Sequence, residues 1–165
     1  MQMVPSTANL EEAIDIFDLV NSQGTKLTDA ELALTHVVGK WPQARRVIKE
    51  KIDQLDKNDF HFNLSFMTRS LTTVVSHKAK YETIHSETKD KIEKGWKNLS
   101  KILDYLTTIL PARAQIHSTY DLNTTNVLVP IIAYISQHNG KFPDEKNLHR
   151  AIHFIYSALT WARYS

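Results

Sequence analysis

The chain has 165 residues, 42% of them hydrophobic and 23% charged, a size and balance suited to one domain with a proper core. Only 4 glycines and 5 prolines favour helices over a turn-rich β fold, and the absence of cysteine excludes disulfides, thiolate metal sites and a cysteine nucleophile. A net charge of +2 is too mild to argue nucleic-acid binding by itself, and the longest apolar run, 127–135, is far short of the ~20 residues a membrane helix needs.

Residues 1–9 carry no basic-then-apolar signal pattern and read as a disordered or foreign N-terminal end, with a single helical domain over 10–165. Leu10, Ala13, Ile14 and Phe17 fall at i, i+3, i+4 and i+7, one face of a helix, while Glu11, Glu12, Asp15 and Asp18 cover the other. Asn21 and Gly24 tolerate left-handed backbone and stop it. Thr28 followed by Glu31 is a capping-box pattern that starts the next helix, with Leu27 placed to staple against Leu32. The polar loop between, 21–25, reads first as a helix–loop–helix corner. Held on a scaffold, it also suits the lining of a ligand or nucleic-acid cleft through Asn21, Gly24 and Thr25, although no Walker ending follows.

The helix from Thr28 runs to Gly39, a natural stop, and Trp41-Pro42 opens another with Pro42 in its first turn. Ala44, Ile48, Ile52 and Leu55 form the buried face of that second helix, and Arg46–Glu50 and Lys49–Asp53 are surface pairs. Arg45, Arg46, Lys49 and Lys51 give it a second reading as a phosphate-contacting helix of the helix-turn-helix kind. Glu50, Asp53 and Asp56 dilute that charge, Thr35 stands where such motifs pack a small residue, and Pro42 stiffens the turn, so a solvated face is the favoured reading.

After a turn at 57–59, Phe60, Phe62 and Phe66 read as core, because no basic residues interleave them as a base-stacking platform requires. Asn63 caps a helix carrying Leu64, Met67, Leu71, Val74 and Val75, in which Thr68, Thr72 and Thr73 lower the propensity and tertiary packing must compensate. Arg69 suits an ion pair better than a phosphate contact. A short helical piece spans 78–84, and a long helix runs from about 86 to 110 on the stripe Thr88, Ile92, Trp96, Leu99, Leu103, Leu106 and Leu110. Glu87–Lys91, Asp90–Lys94 and Glu93–Lys97 neutralise its solvent face, Gly95 allows a neighbour to approach, and the helix is the best candidate for a central member of the bundle.

Pro111 extends or kinks the long helix, and 118–125 is a polar loop. The run 127–135 is apolar on nearly every side and forms a buried helix ended by Asn139-Gly140. Phe142-Pro143-Asp144-Glu145 starts the last helix, whose core stripe is Leu148, Ala151, Ile152, Ile155, Leu159 and Ala162, with Phe154, Ala158 and Trp161 as a second packed stripe. The fold expected is all-α, an irregular multi-helix bundle of seven or eight helices.

Little in the chain points to catalysis. His149 and His153 sit four apart, one turn after Glu145, but they lack the zincin glutamate and a third ligand, so a surface pair is favoured over a metal site. His77, Tyr81 and His85 are spaced alike and say less, while His36, His61, His117 and His138 show no pairing. No serine has an elbow context.

A resemblance adds to this. Phe17-x-x-x-Asn21-x-x-Gly24-Thr25-x-Leu27-x-x-x-Glu31-Leu32 resembles a segment of the DGQQR-domain family, the N-terminal domain of GmrSD-type modification-dependent restriction enzymes and related phage-defence proteins. Gln23 departs from it, standing where the family has its first glycine. The closing Trp161-Ala162-Arg163-Tyr164-Ser165 resembles the end of the same domain. The Asp-Gly-Gln-Gln-Arg motif itself is absent; it would lie upstream of Glu11, and the nuclease partner downstream of Ser165.

The resemblance implies a non-catalytic helical scaffold belonging to a larger cytoplasmic protein, with the missing N-terminal and C-terminal domains as its partners. Nucleoside triphosphate, divalent metal and modified DNA would be matters for that parent, and this piece would hold no cofactor. Arg163 would make an interdomain contact or help hold a phosphate. Asn21, Gly24, Thr25 and Arg163 are therefore the candidate ligand contacts, with Arg45, Arg46 and Lys49 as the alternative, a free-standing nucleic-acid-binding domain.

Overall fold

A computed structural model describes residues 28–164 apart from residue 79, with the backbone alone over 161–164. The protein is all-α. Among the described residues there are six α-helices and no strand: α1 (Asp29–Lys40), α2 (Ala44–Asp56), α3 (Leu64–Ser76), α4 (Lys89–Ala114), α5 (Leu128–Ser136) and α6 (Glu145–Tyr164). Three 3-10 segments, Tyr81–Ser86, Thr119–Asp121 and Thr125–Val127, join them. The end at 1–9, the helix read from Leu10, Ala13, Ile14 and Phe17, and the Leu27 staple lie outside the described residues.

The chain enters α1 through the predicted capping box. Thr28 Oγ1 accepts the Glu31 N–H at 3.2 Å, and a Glu31 carboxylate oxygen accepts the Thr28 N–H at 2.9 Å. Ala33, Leu34 and Val37 then face the core. Gly39 is not the stop that its position suggests. It stays buried within the helix, which runs on to Lys40 and closes when the Trp41 N–H donates to Val37 O at 2.8 Å. Pro42 likewise lies in a turn ahead of α2 and not in its first turn, because α2 begins only at Ala44. Ala44, Ile48 and Leu55 are buried as expected, and Ile52 is half-buried.

Central to the bundle is α3, with the long helix packed along it. It packs against α1, α2, α4, α5 and the Tyr81–Ser86 segment, and residues 70–74 are buried without interruption. Asn63 Oδ1 starts it by accepting the Phe66 N–H at 2.8 Å, beside the stacked rings of Phe60, Phe62 and Phe66. A helix so rich in hydroxyls can be buried because most of them are satisfied within it, although the buried Ser70 Oγ has no hydrogen-bond partner among the described residues. Thr68 donates to Leu64 O at 2.7 Å, Thr72 to Thr68 O at 2.8 Å, Thr73 to Arg69 O at 2.9 Å and Ser76 to Thr72 O at 2.7 Å. Burying an unbonded hydroxyl costs roughly 1–3 kcal/mol, and these back-bonds avoid that cost.

The longest helix, α4, is capped by Thr88 and lays Ile92, Trp96, Leu99, Leu103, Leu106 and Leu110 on the core. Pro111 sits inside it without ending it; the stop comes at Gln115, with φ 60°. Of the expected surface pairs, Glu87–Lys91 forms at 3.7 Å. Glu93 turns instead to Lys89 at 3.6 Å, and neither Asp90–Lys94 nor Glu93–Lys97 closes to ion-pair distance.

Leu128, Val129, Ile131, Ile132 and Ile135 bury α5 on several sides, as its all-round apolarity demands. Asn139 (φ 59°) and Gly140 (φ 80°) then turn the chain, with the Gly140 N–H returning to Ile135 O at 3.0 Å. Asp144 Oδ1 accepts the Asn147 N–H at 2.8 Å and starts α6. Leu148 and Ile155 are its buried contacts. The second stripe is covered only in part: Ala158 packs against the core, Phe154 is 44% exposed, and the Trp161 side chain lies outside the described residues.

A cleft at the entry to the bundle

A mixed polar and apolar cleft of ≈ 350 Å³ opens where the first turns of α1, the start of α2 and the first turns of α3 meet. Ala30 and Leu34 give its apolar part, and Glu31, Thr35, Arg45, Ser65 and Thr68 its polar part. The capping box fixes Glu31, and Thr35 Oγ1 donates to Glu31 O at 2.8 Å, so these walls are held by their own helices. Arg45 is exposed, and no carboxylate of the described residues lies within ion-pair distance of it. The cleft thus offers a guanidinium fork and hydroxyl oxygens opposite one carboxylate, which suits hydrogen bonding to a polar segment better than the capture of a strong anion.

Residues 21–25, read from the sequence as a polar loop, precede Thr28 by a few positions in the chain. Asn21, Gly24 and Thr25 themselves lie outside the described residues, as do the side chains of Arg163 and Tyr164. The α2 cations, in contrast, can be placed, and the structure divides them. Arg46 pairs with Glu50 at 3.2 Å on the surface, while Lys49 is exposed and does not close on Asp53. Lys51 cannot serve as a phosphate contact. It is only 6% exposed and its ammonium is 2.6 Å from Asp104 of α4, with Gln54 at 3.3 Å. The helix therefore presents a shorter basic row than its sequence suggests.

Several histidines read as unpaired have partners. The rings of His36 and His85 stack with centroids 3.8 Å apart, next to Lys40, whose ammonium donates to the carbonyls of His85 and Glu87. No spacing could have announced a contact between α1 and the Tyr81–Ser86 segment. His61 Nδ1 meets Asp56 at 2.8 Å, its ring 5.5 Å from that of Tyr120, and His138 Nδ1 is 2.8 Å from Tyr134 O. Asp121 accepts the N–H groups of His117 and Ser118, which gives it the turn-holding purpose its sequence position did not reveal.

On α6, Glu145 lies 3.6 Å from His149 but is held chiefly by Arg113 of α4, and His153 Nε2 faces Ser157 Oγ at 3.4 Å. The hydrogen bond from Arg113, aided by its charge and by that of His149, lowers the Glu145 carboxyl below its ordinary value against a smaller desolvation effect. Among the described residues no group of three or more histidines and acids is placed to hold a metal ion, and no helix is long and apolar enough to cross a membrane.

Comparison with known proteins returns no matching family model, no matching curated protein and no matching solved structure.

Proposed function

We propose that this chain is a non-catalytic helical scaffold of a cytoplasmic GmrSD-like restriction or phage-defence protein, and that it presents the loop carrying Asn21, Gly24 and Thr25 to a nucleotide or to modified DNA held by flanking domains. The reading starts from the resemblance of residues 17–32 and 161–165. The observation that supports it is the reciprocal capping of Thr28 and Glu31, which fixes the start of a helix buried through Ala33, Leu34 and Val37, three positions after Thr25 in the chain. A firmly capped helix start is a suitable base for a functional segment next to it.

The test is made in the full-length parent protein. Asn21→Ala with Thr25→Ala should lower nucleotide-dependent cleavage of modified DNA by at least about tenfold, equivalent to about 1.4 kcal/mol, with the helical circular dichroism unchanged. The chain alone should turn over neither nucleotide nor DNA. Turnover by the chain alone, or full activity in the doubly substituted parent, would reject the scaffold reading.

A second reading, direct nucleic-acid contact by α2, is favoured by one observation: Arg45 and Lys49 are exposed without a carboxylate within ion-pair distance among the described residues. It requires salt-sensitive DNA binding by the chain itself that the pair Arg45→Ala and Arg46→Ala abolishes.

A further inference from the structure

At the opposite end of α3 a larger cleft of ≈ 480 Å³ lies between the C-terminal turn of that helix and the first half of α4. Its floor is apolar, made by Val74, Val75 and the bare backbone of Gly95. Its rim carries His77, Lys91, Lys94 and Asn98, with Glu87 as the only acid lining it among the described residues. Lys91 shares its charge with Glu87 at 3.7 Å. Lys94 is exposed and has no carboxylate among the described residues within ion-pair distance, because the Asp90 pair that its spacing suggested does not form. His77 stands at the left-handed end of α3, with φ 61°, and is also exposed. An apolar floor beneath a rim with an excess of cations is the arrangement that takes an anionic head and an apolar body together.

We propose that this cleft binds a small phosphate monoester with an apolar body, the phosphate held by Lys94 with His77 and Lys91, and the body laid against Val74 and Val75. Nearby charges weigh both ways. Glu87 and the carbonyl end of α3 oppose an anion; Lys91 offsets Glu87, and Lys94 with the His77 ring favours the anion over a helix end that acts only weakly and within its last turn. A phosphate monoester fits better than a carboxylate because its three oxygens can meet separate donors, and the rim supplies two ammonium groups, an imidazole and an amide.

Phenyl phosphate is the probe, titrated into the full chain labelled with ¹⁵N, with inorganic phosphate and phenol as the two control ligands. Saturable shifts of the Lys94, Gly95 and Asn98 amides are expected, with phenyl phosphate binding tighter than inorganic phosphate and phenol failing to saturate. Lys94→Glu should weaken phenyl phosphate at least about tenfold, the scale of one charge-assisted hydrogen bond, and Lys94→Arg should keep most of the affinity. Lys97→Glu, on the same helix but outside the cleft, should change it by less than about twofold. Phenol binding as tightly as phenyl phosphate, equal losses from Lys94→Glu and Lys97→Glu, or no saturable shift would each overturn the proposal.

Discussion

A β-carbon placed on Gly95 would lie 2.3 Å from Cγ2 of Val75 and 3.8 Å from Cδ1 of Leu71. That gap fixes how closely α4 seats on α3, the central helix. Gly95→Ala should therefore destabilise the fold by about 1–3 kcal/mol through overpacking, even though alanine is favoured over glycine by about 1 kcal/mol in a free helix. Urea denaturation measures it. Adding Val75→Ala should return part of the loss, and strictly additive effects of the two changes would show that they do not meet.

Lys51 and Asp104 lock α2 to α4 by a pair that is buried at one end and open at the other. Lys51 is 6% exposed and Asp104 54%. Asp104→Ala leaves a buried ammonium with only Gln54, and should cost about 1–3 kcal/mol. Lys51→Met removes the charge together with its need for a partner and should cost less. The reverse order in denaturant midpoints would mean that the aliphatic stem of Lys51, not its charge, is what matters there.

The helix starts invite a simpler test. Asn63→Ala removes the acceptor for the Phe66 N–H and should lower stability by about 1 kcal/mol. Thr28→Ala should cost a similar amount and also release one strand of the capping box from Glu31. Amide exchange should quicken over the first turn of α1 and remain slow in α3; uniform quickening would show that the cap acts on the whole fold.

These starts were legible in the sequence because they depend on residues three apart: Thr28 with Glu31, and Asn63 with Phe66. The core stripe of α4 and the close approach at Gly95 were legible for a similar reason, since a periodic apolar face and a bare backbone both announce a neighbour. Which helix gathers the most neighbours was not. The sequence indicated that tertiary packing must hold α3, and the back-bonded hydroxyls of Thr68, Thr72 and Thr73 are how that packing accommodates them. Lys51 misled for another reason. It stands three residues after Ile48 and four before Leu55, on the buried face of α2, but its charge reads as solvent-facing, and its partner Asp104 lies 53 residues away. The cleft at Arg45 depends on three helices meeting, which no spacing within one helix records.

Acid should weaken the tie between α4 and α6. Arg113 holds the Glu145 carboxyl below its ordinary value, so the folded state binds that proton less readily than the unfolded chain does. The contribution is present above the unfolded carboxyl value of about 4.3 and fades as pH falls through the lower folded value. Arg113 stays protonated throughout, its own value being raised by the same partner. Glu145→Gln should flatten the acid limb of the stability profile, and so should high salt, because the pair is open to solvent. An unchanged acid limb in Glu145→Gln would assign that limb to other carboxylates.

The hydroxyl ladder of α3 has a consequence for how the neighbouring helices find their places. Thr68, Thr72 and Thr73 spend their donors on their own backbone, so at those positions the neighbours meet contour in place of directional bonds, while Ser76 Oγ also meets Thr83 Oγ1 at 2.7 Å. Alignment along it is then keyed by relief, with the notch at Gly95 taking the ridge of Val75. Swapping Thr72 for valine would leave that relief nearly intact, whereas adding bulk at the notch would shift the key in its lock.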